Sequence, residues 1–139
     1  MVDYTEIQVE NNPMRIAYSR PAGAGLFPAM VVMYHRGGFD EFTLKICDDL
    51  AHSGYLAAAM DLYHWPPLLD PPQENPFPRD PEIIKDVSAT LDWLSNQNDV
   101  DMDRLGIIGH CMGGRMALLG ASTHDVFKAC VPYYPGNMF

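Results

Sequence analysis

Gly109-His110-Cys111-Met112-Gly113 constrains this chain more than any other stretch. A short apolar run, Arg104-Leu105-Gly106-Ile107-Ile108, precedes it, and a helix-like run, Gly114-Arg115-Met116-Ala117-Leu118-Leu119, follows it. The order is strand, sharp turn, helix, with a nucleophile-type residue at the apex, in the arrangement G-x-Nuc-x-G. The glycines have a steric reason: the apex residue is strained, and a Cβ on its neighbours would collide with the strand or the helix. The strain pushes the thiol clear of the sheet edge. A buried cysteine in a glycine-rich turn is the plainer alternative, because free cysteine is often core.

The rest of the chain supplies matching elements. Tyr4–Val9 and Met14–Tyr18 read as strands joined by Glu10-Asn11-Asn12-Pro13, a turn signal that pairs them as a hairpin. Ala29–Tyr34 and Tyr55–Met60 are nearly continuous apolar runs, as strands buried on both faces require. Between them Phe42, Ile46 and Leu50 recur at helical spacing, and Gly54 stops that helix. Pro66–Pro81 is proline-rich and reads as a rigid surface excursion, edged by Trp65 and Phe77. Asp80-Pro81-Glu82 opens a helix with Asp80 as its cap, and Ile83, Val87, Leu91 and Leu94 give it an apolar face. Phe127–Tyr133 is the last strand. Strands alternating with helices predict a mostly parallel sheet covered on both faces.

Composition narrows the partners. A net charge of -9 argues against a phosphate backbone as ligand. Three cysteines, Cys47, Cys111 and Cys130, lack framework spacing, so free thiols in a reducing compartment are expected, with Cys47 and Cys130 in the core. Residues 1–6 carry no signal-peptide pattern, and no apolar stretch is long enough to span a bilayer. A cytoplasmic protein is the expectation. There is no C-x-x-C and no H-x-x-x-H pair, so no metal is expected, and no cofactor motif is present.

The elbow, with Asp61-Leu62-Tyr63 after the fourth strand, Gly54-Tyr55 before it and Tyr133-Tyr134 after the sixth, resembles the dienelactone hydrolase family of α/β-hydrolases. The resemblance implies cleavage of small esters or lactones by a Cys-His-Asp triad, with Cys111 as nucleophile. It further implies an oxyanion hole made by the N–H of Met112 and one from the Arg36-Gly37 turn, and a pocket lined by Tyr133. Acyl transfer needs those donors where negative charge grows, and the residue after the nucleophile opens a helix with its N–H free.

Two departures stand out. The family usually places a glutamate in the turn that here reads His35-Arg36-Gly37-Gly38. Arg36 either favours the thiolate of Cys111, binds a substrate carboxylate, or is a solvated loop residue. The triad order in this fold is nucleophile, acid, histidine, yet the sequence ends at Phe139 with no histidine beyond His124. The expectation is therefore a single incomplete α/β-hydrolase domain over residues 1–139, an N-terminal portion truncated after about the sixth strand. Its last strand would then be an exposed apolar edge.

Other histidines could stand in for the missing base, but each has a plainer role. His110 should point away from Cys111 and pack; His35 should orient the turn; His64 should reach the pocket rim; His52 and His124 should be solvated at helix ends. Tyr63 and Trp65 either wall the pocket or pack the excursion down, and Arg79 either binds an anionic substrate or is solvated. Two functions remain open: a thiol-dependent hydrolase of small esters or lactones, or a non-catalytic module that keeps the elbow and self-associates through its bare sheet edge.

Overall fold

A computed structural model describes residues 1–66 and 77–136. Six strands form one mixed sheet: β1 (Asp3–Val9), β2 (Asn12–Ser19), β3 (Phe27–Met33), β4 (Leu56–Met60), β5 (Val100–His110) and β6 (Phe127–Tyr133). Their spatial order is β1-β2-β4-β3-β5-β6. The hairpin β1–β2 joins β4 antiparallel, and β4, β3, β5 and β6 run parallel. The non-β-branched turn residues Glu10 and Asn11 adopt positive φ of 48° and 64°, which closes the hairpin in two residues.

The central strands read as continuous apolar runs because helices cover both faces. All five residues of β4 are buried, as are Ala29–Met33 of β3. Three helices supply the cover: α1 (Glu41–His52), α2 (Asp80–Ser95) and α3 (Met112–Thr123). On β5, Ile107 faces Gly120 of α3 and Val87 of α2, whereas the next residue, Ile108, lines a groove with Ile46 and Leu50 of α1. Side chains alternate across a strand, so α1 lies on one face and α2 with α3 on the other.

The α1 side of β5 and β6 is open. Met30, Leu50, Tyr55, Gly106, Ala129 and Val131 line a groove of about 480 Å³, which continues into the smaller one beside Ile108 and Tyr133. The helix α1 forms where the spacing places it. Thr43, Cys47 and Ala51 are its buried face, whereas Phe42 is 48% exposed and Ile46 and Leu50 are only partly buried. The Phe42-Ile46-Leu50 stripe lies one position round the helix, with Ile46 and Leu50 lining the groove.

Other expectations are refined too. Arg79, not Asp80, holds the cap position of α2 and makes no side-chain capping bond. Asp80 instead accepts two hydrogen bonds from the Arg115 guanidinium on α3, both at 2.8 Å. Cys47 is core, as expected, while Cys130 is only partly buried on the edge strand. His124 is not simply solvated: its ring pairs with Ser88 Oγ at 2.7 Å and joins α3 to α2. Residues 67–76, most of the expected proline-rich excursion, lie outside the described residues.

Candidate active site

Cys111 caps α3 with φ 56° and ψ −118°, a conformation that non-glycine residues rarely hold. Its surroundings enforce it. A Cβ on Gly109 would stand 2.0 Å from the Gly113 carbonyl oxygen, and one on Gly113 would stand 2.4 Å from that of Met33. Strand, apex and helix therefore approach more closely than any side chain permits. The Cys111 N–H donates to the Tyr133 carbonyl at 3.0 Å, and the Cys111 carbonyl accepts from Gly114 N at 2.9 Å and Gly136 N at 3.1 Å. Fixed at both ends, the residue is exposed, as the motif requires.

Met112 opens α3, and first-turn amides have no acceptor within their own helix. Its side chain is buried. The turn after β3 arrives beside it because Met33 pairs with Gly109 in the parallel β3–β5 ladder. That turn closes with Gly38 N–H donating to the His35 carbonyl at 3.1 Å, and Gly38 takes φ 67°. Gly37 sits at its tip. A Cβ there would fall 2.4 Å from Asp40 Oδ2 and 2.6 Å from His35 Cε1.

The flanking residues divide into two groups. Tyr63 Oη donates to the Arg36 carbonyl at 3.2 Å, which ties the end of β4 to the turn. Burial raises the Tyr63 phenol above its ordinary value, and the Arg36 charge opposes that rise. Arg36 itself is exposed. His110 packs, as expected: its ring stacks on Tyr133 at 4.7 Å and meets the Phe42 edge at 5.4 Å. Burial, and secondarily the neighbouring His35, lowers its pKa. The second group is tied to α2. His64 does not reach a rim but is buried, with Nε2 2.8 Å from Asp86 Oδ1, and Trp65 Nε1 donates to Asp86 Oδ2 at 3.0 Å. Burial raises the Asp86 pKa, and the His64 bond opposes it. Trp65 is thus anchored to α2. Arg79 pairs with Glu82 in the first turn of α2.

Asp86 is the residue that sequence reading overlooked. The signal was present: an acid lying between Ile83 and Val87, on the face the apolar spacing assigns to the core. Among the described residues, no group of three His, Cys, Asp or Glu side chains could hold a metal ion, and no helix is long and apolar enough to cross a membrane.

Comparison with known proteins gives a consistent picture. The sequence pattern of the dienelactone hydrolase family matches residues 14–138. The "Probable 2-oxo-3-(5-oxofuran-2-ylidene)propanoate lactonase" of a Bradyrhizobium species is 34% identical over 142 residues, covering 96% of this chain and 56% of that protein. A "Putative carboxymethylenebutenolidase" of Salmonella typhi is 33% identical over 141 residues, covering 94% of this chain and 51% of its own. The crystal structure of a "Putative Dienelactone Hydrolase" from Klebsiella pneumoniae superposes with a TM-score of 0.83 at 29% identity, over 97% of this chain and 60% of that one. The chain spans about half the length of the curated relatives it matches.

Proposed function

The chain belongs to the dienelactone hydrolase family, and we propose that it is a thiol-dependent hydrolase of small esters or lactones with Cys111 as nucleophile. The observation that carries this reading is the exposed Cys111 held at φ 56° at the mouth of α3. In the proposed step the Cys111 thiolate attacks the ester carbonyl carbon. The oxyanion forms against the amides of Met112 and Gly37, the C–O bond breaks, and the alcohol leaves with a proton from solvent. Water then cleaves the thioester, which returns the thiol and frees the acid. Arg36, His35, Tyr63 and Tyr133 frame the approach, with Arg36 the group suited to a substrate carboxylate. Trp65 and Arg79, paired with Asp86 and Glu82, flank the approach from the α2 side. An exposed free thiol fits a reducing compartment such as the cytoplasm.

The second hydrolytic step needs a general base, and each histidine ring is engaged elsewhere: His35 with Asp40, His52 with the Asp48 carbonyl, His64 with Asp86, His110 on Tyr133 and His124 with Ser88. This chain by itself should therefore acylate faster than it turns over. With p-nitrophenyl acetate, one equivalent of p-nitrophenolate per chain should appear in a burst followed by little turnover, and Cys111→Ala should abolish it. A chain that shows no burst overturns the reading.

One observation favours a second function. Strand β6 is an edge, and Tyr133 and Tyr134 on and beyond it are 47% and 68% exposed. An apolar edge of this kind suits self-association of a non-catalytic module. That reading requires a concentration-dependent dimer by analytical ultracentrifugation together with the absent burst.

A further inference from the structure

The turn that offers the Gly37 amide is itself gripped by a side chain. Gly37 N–H points at His35 Nδ1 at 3.4 Å. His35 Nε2 lies 2.8 Å from Asp40 Oδ2, off the ideal hydrogen-bond line, and the other Asp40 oxygen accepts from Thr43 N at 3.0 Å as the cap of α1. The rigid start of a helix thus holds the carboxylate, the carboxylate holds the ring, and the ring holds the amide. The space a Gly37 side chain would need is taken by this pair, with the Asp40 carboxylate and the imidazole both within 2.6 Å of the Cβ position. The glycine is there for close approach, and what approaches is the His35–Asp40 pair.

We propose that His35, anchored by Asp40, is the positioning residue of the Gly37 amide: neutral, it holds the amide back, and protonated, it releases it to a substrate oxygen. The inference rests on the role given above to Gly37. Its chemistry is set by one lone pair. The Asp40 carboxylate favours the ring proton on Nε2, so neutral His35 keeps Nδ1 as an acceptor for Gly37. A second proton must enter at Nδ1. The acceptor is then gone, two N–H groups face each other, and the amide swings off the ring. The charged groups facing His35 from each side are known. The Asp40 carboxyl lies below the usual carboxylate range, chiefly through the Thr43 amide and in part through His35. His110 stands across Phe42, whose ring meets both imidazoles edge-on at 5.5 and 5.4 Å, and the nearby His35 disfavours charge on His110. Arg36 is the adjacent residue of the turn, and Tyr63 bonds its carbonyl.

Three variants and two readouts test this. Burst rate constants, divided by the thiolate fraction of Cys111 from iodoacetamide titration, should rise several-fold as pH falls through the His35 titration. His35→Asn keeps a permanent neutral acceptor at the Nδ1 position, so its corrected rate should stay low and flat with pH. His35→Ala has no acceptor, so its rate should stay high and flat. Asp40→Asn should loosen the ring and shrink the rise. Without any substrate, the Gly37 amide resonance in ¹⁵N-labelled protein should titrate with the His35 ring and stop doing so in His35→Asn. A Gly37 amide that ignores His35, or His35→Ala and His35→Asn rates that coincide, overturns the inference while leaving the hydrolase reading intact. A Gly37 amide that follows His35 in a chain without any burst upholds the hold-and-release and overturns the hydrolase reading alone.

Discussion

At Cys111 the backbone strain, the glycine approaches and the exposure are one fact seen three ways. The strand and helix come within contact of each other, and the apex has nowhere to go but outward. Gly109→Ala should therefore cost more than about 4 kcal/mol or prevent folding, because its Cβ meets rigid backbone. Gly106→Ala should cost far less, since its nearest neighbour is the Met30 sulfur at 2.5 Å, the mobile end of a flexible side chain. Urea unfolding of the two variants separates them. The elbow was legible in the sequence because its steric demands are local and only glycine meets them. Arg115 and Asp80 were not, since nothing in a helix start predicts a partner 35 positions away. Their bidentate pair holds the Asp80 carboxyl below its usual range, chiefly through the guanidinium hydrogen bonds. A lowered folded-state value means stability present above the usual carboxylate range and lost as pH falls through it. Both groups are partly exposed, so Asp80→Asn should cost no more than about 1 kcal/mol at pH 7. The difference from the parent protein should vanish in acid, as thermal melts across pH would reveal.

At the scale of elements, most assignments follow from period and punctuation, and the exceptions have a common cause. The α1 sequence carries two neighbouring apolar stripes, Phe42-Ile46-Leu50 and Thr43-Cys47-Ala51. The bulkier one wins on hydrophobicity, yet the sheet buries the slimmer one, because small side chains let a helix lie close. Ile46→Gln and Leu50→Gln should each cost under about 1 kcal/mol in urea titrations, while Cys47→Gln, forced into a fully buried site, should cost several times more. Arg79 illustrates the same limit at a helix start: Asp-Pro-Glu has the composition of a cap, but Asp80 is drawn one residue inward by a tertiary partner. His64 and Asp86 show it in the core, where a loop residue and a helix residue satisfy each other's burial.

For the molecule as a whole, alternating strands and helices were enough to read a layered parallel sheet. They do not show which face of the sheet carries the groove beside β5 and β6, because that depends on how closely α1 lies against its strands. The open groove over β5 and β6 should bind an apolar dye such as ANS in the native state, and Ile108→Lys with Val131→Lys should weaken that fluorescence without lowering the melting temperature much. The sheet also acts as a ruler. Met33 and Gly109 are ladder partners, so the loops leaving them start one interstrand step apart, about 4.8 Å. That gap is inherited from the hydrogen-bond pitch and cannot drift as side chains change along either strand. Variation is channelled into the four residues from 35 to 38, where reactivity can be retuned while the frame beneath stays the same.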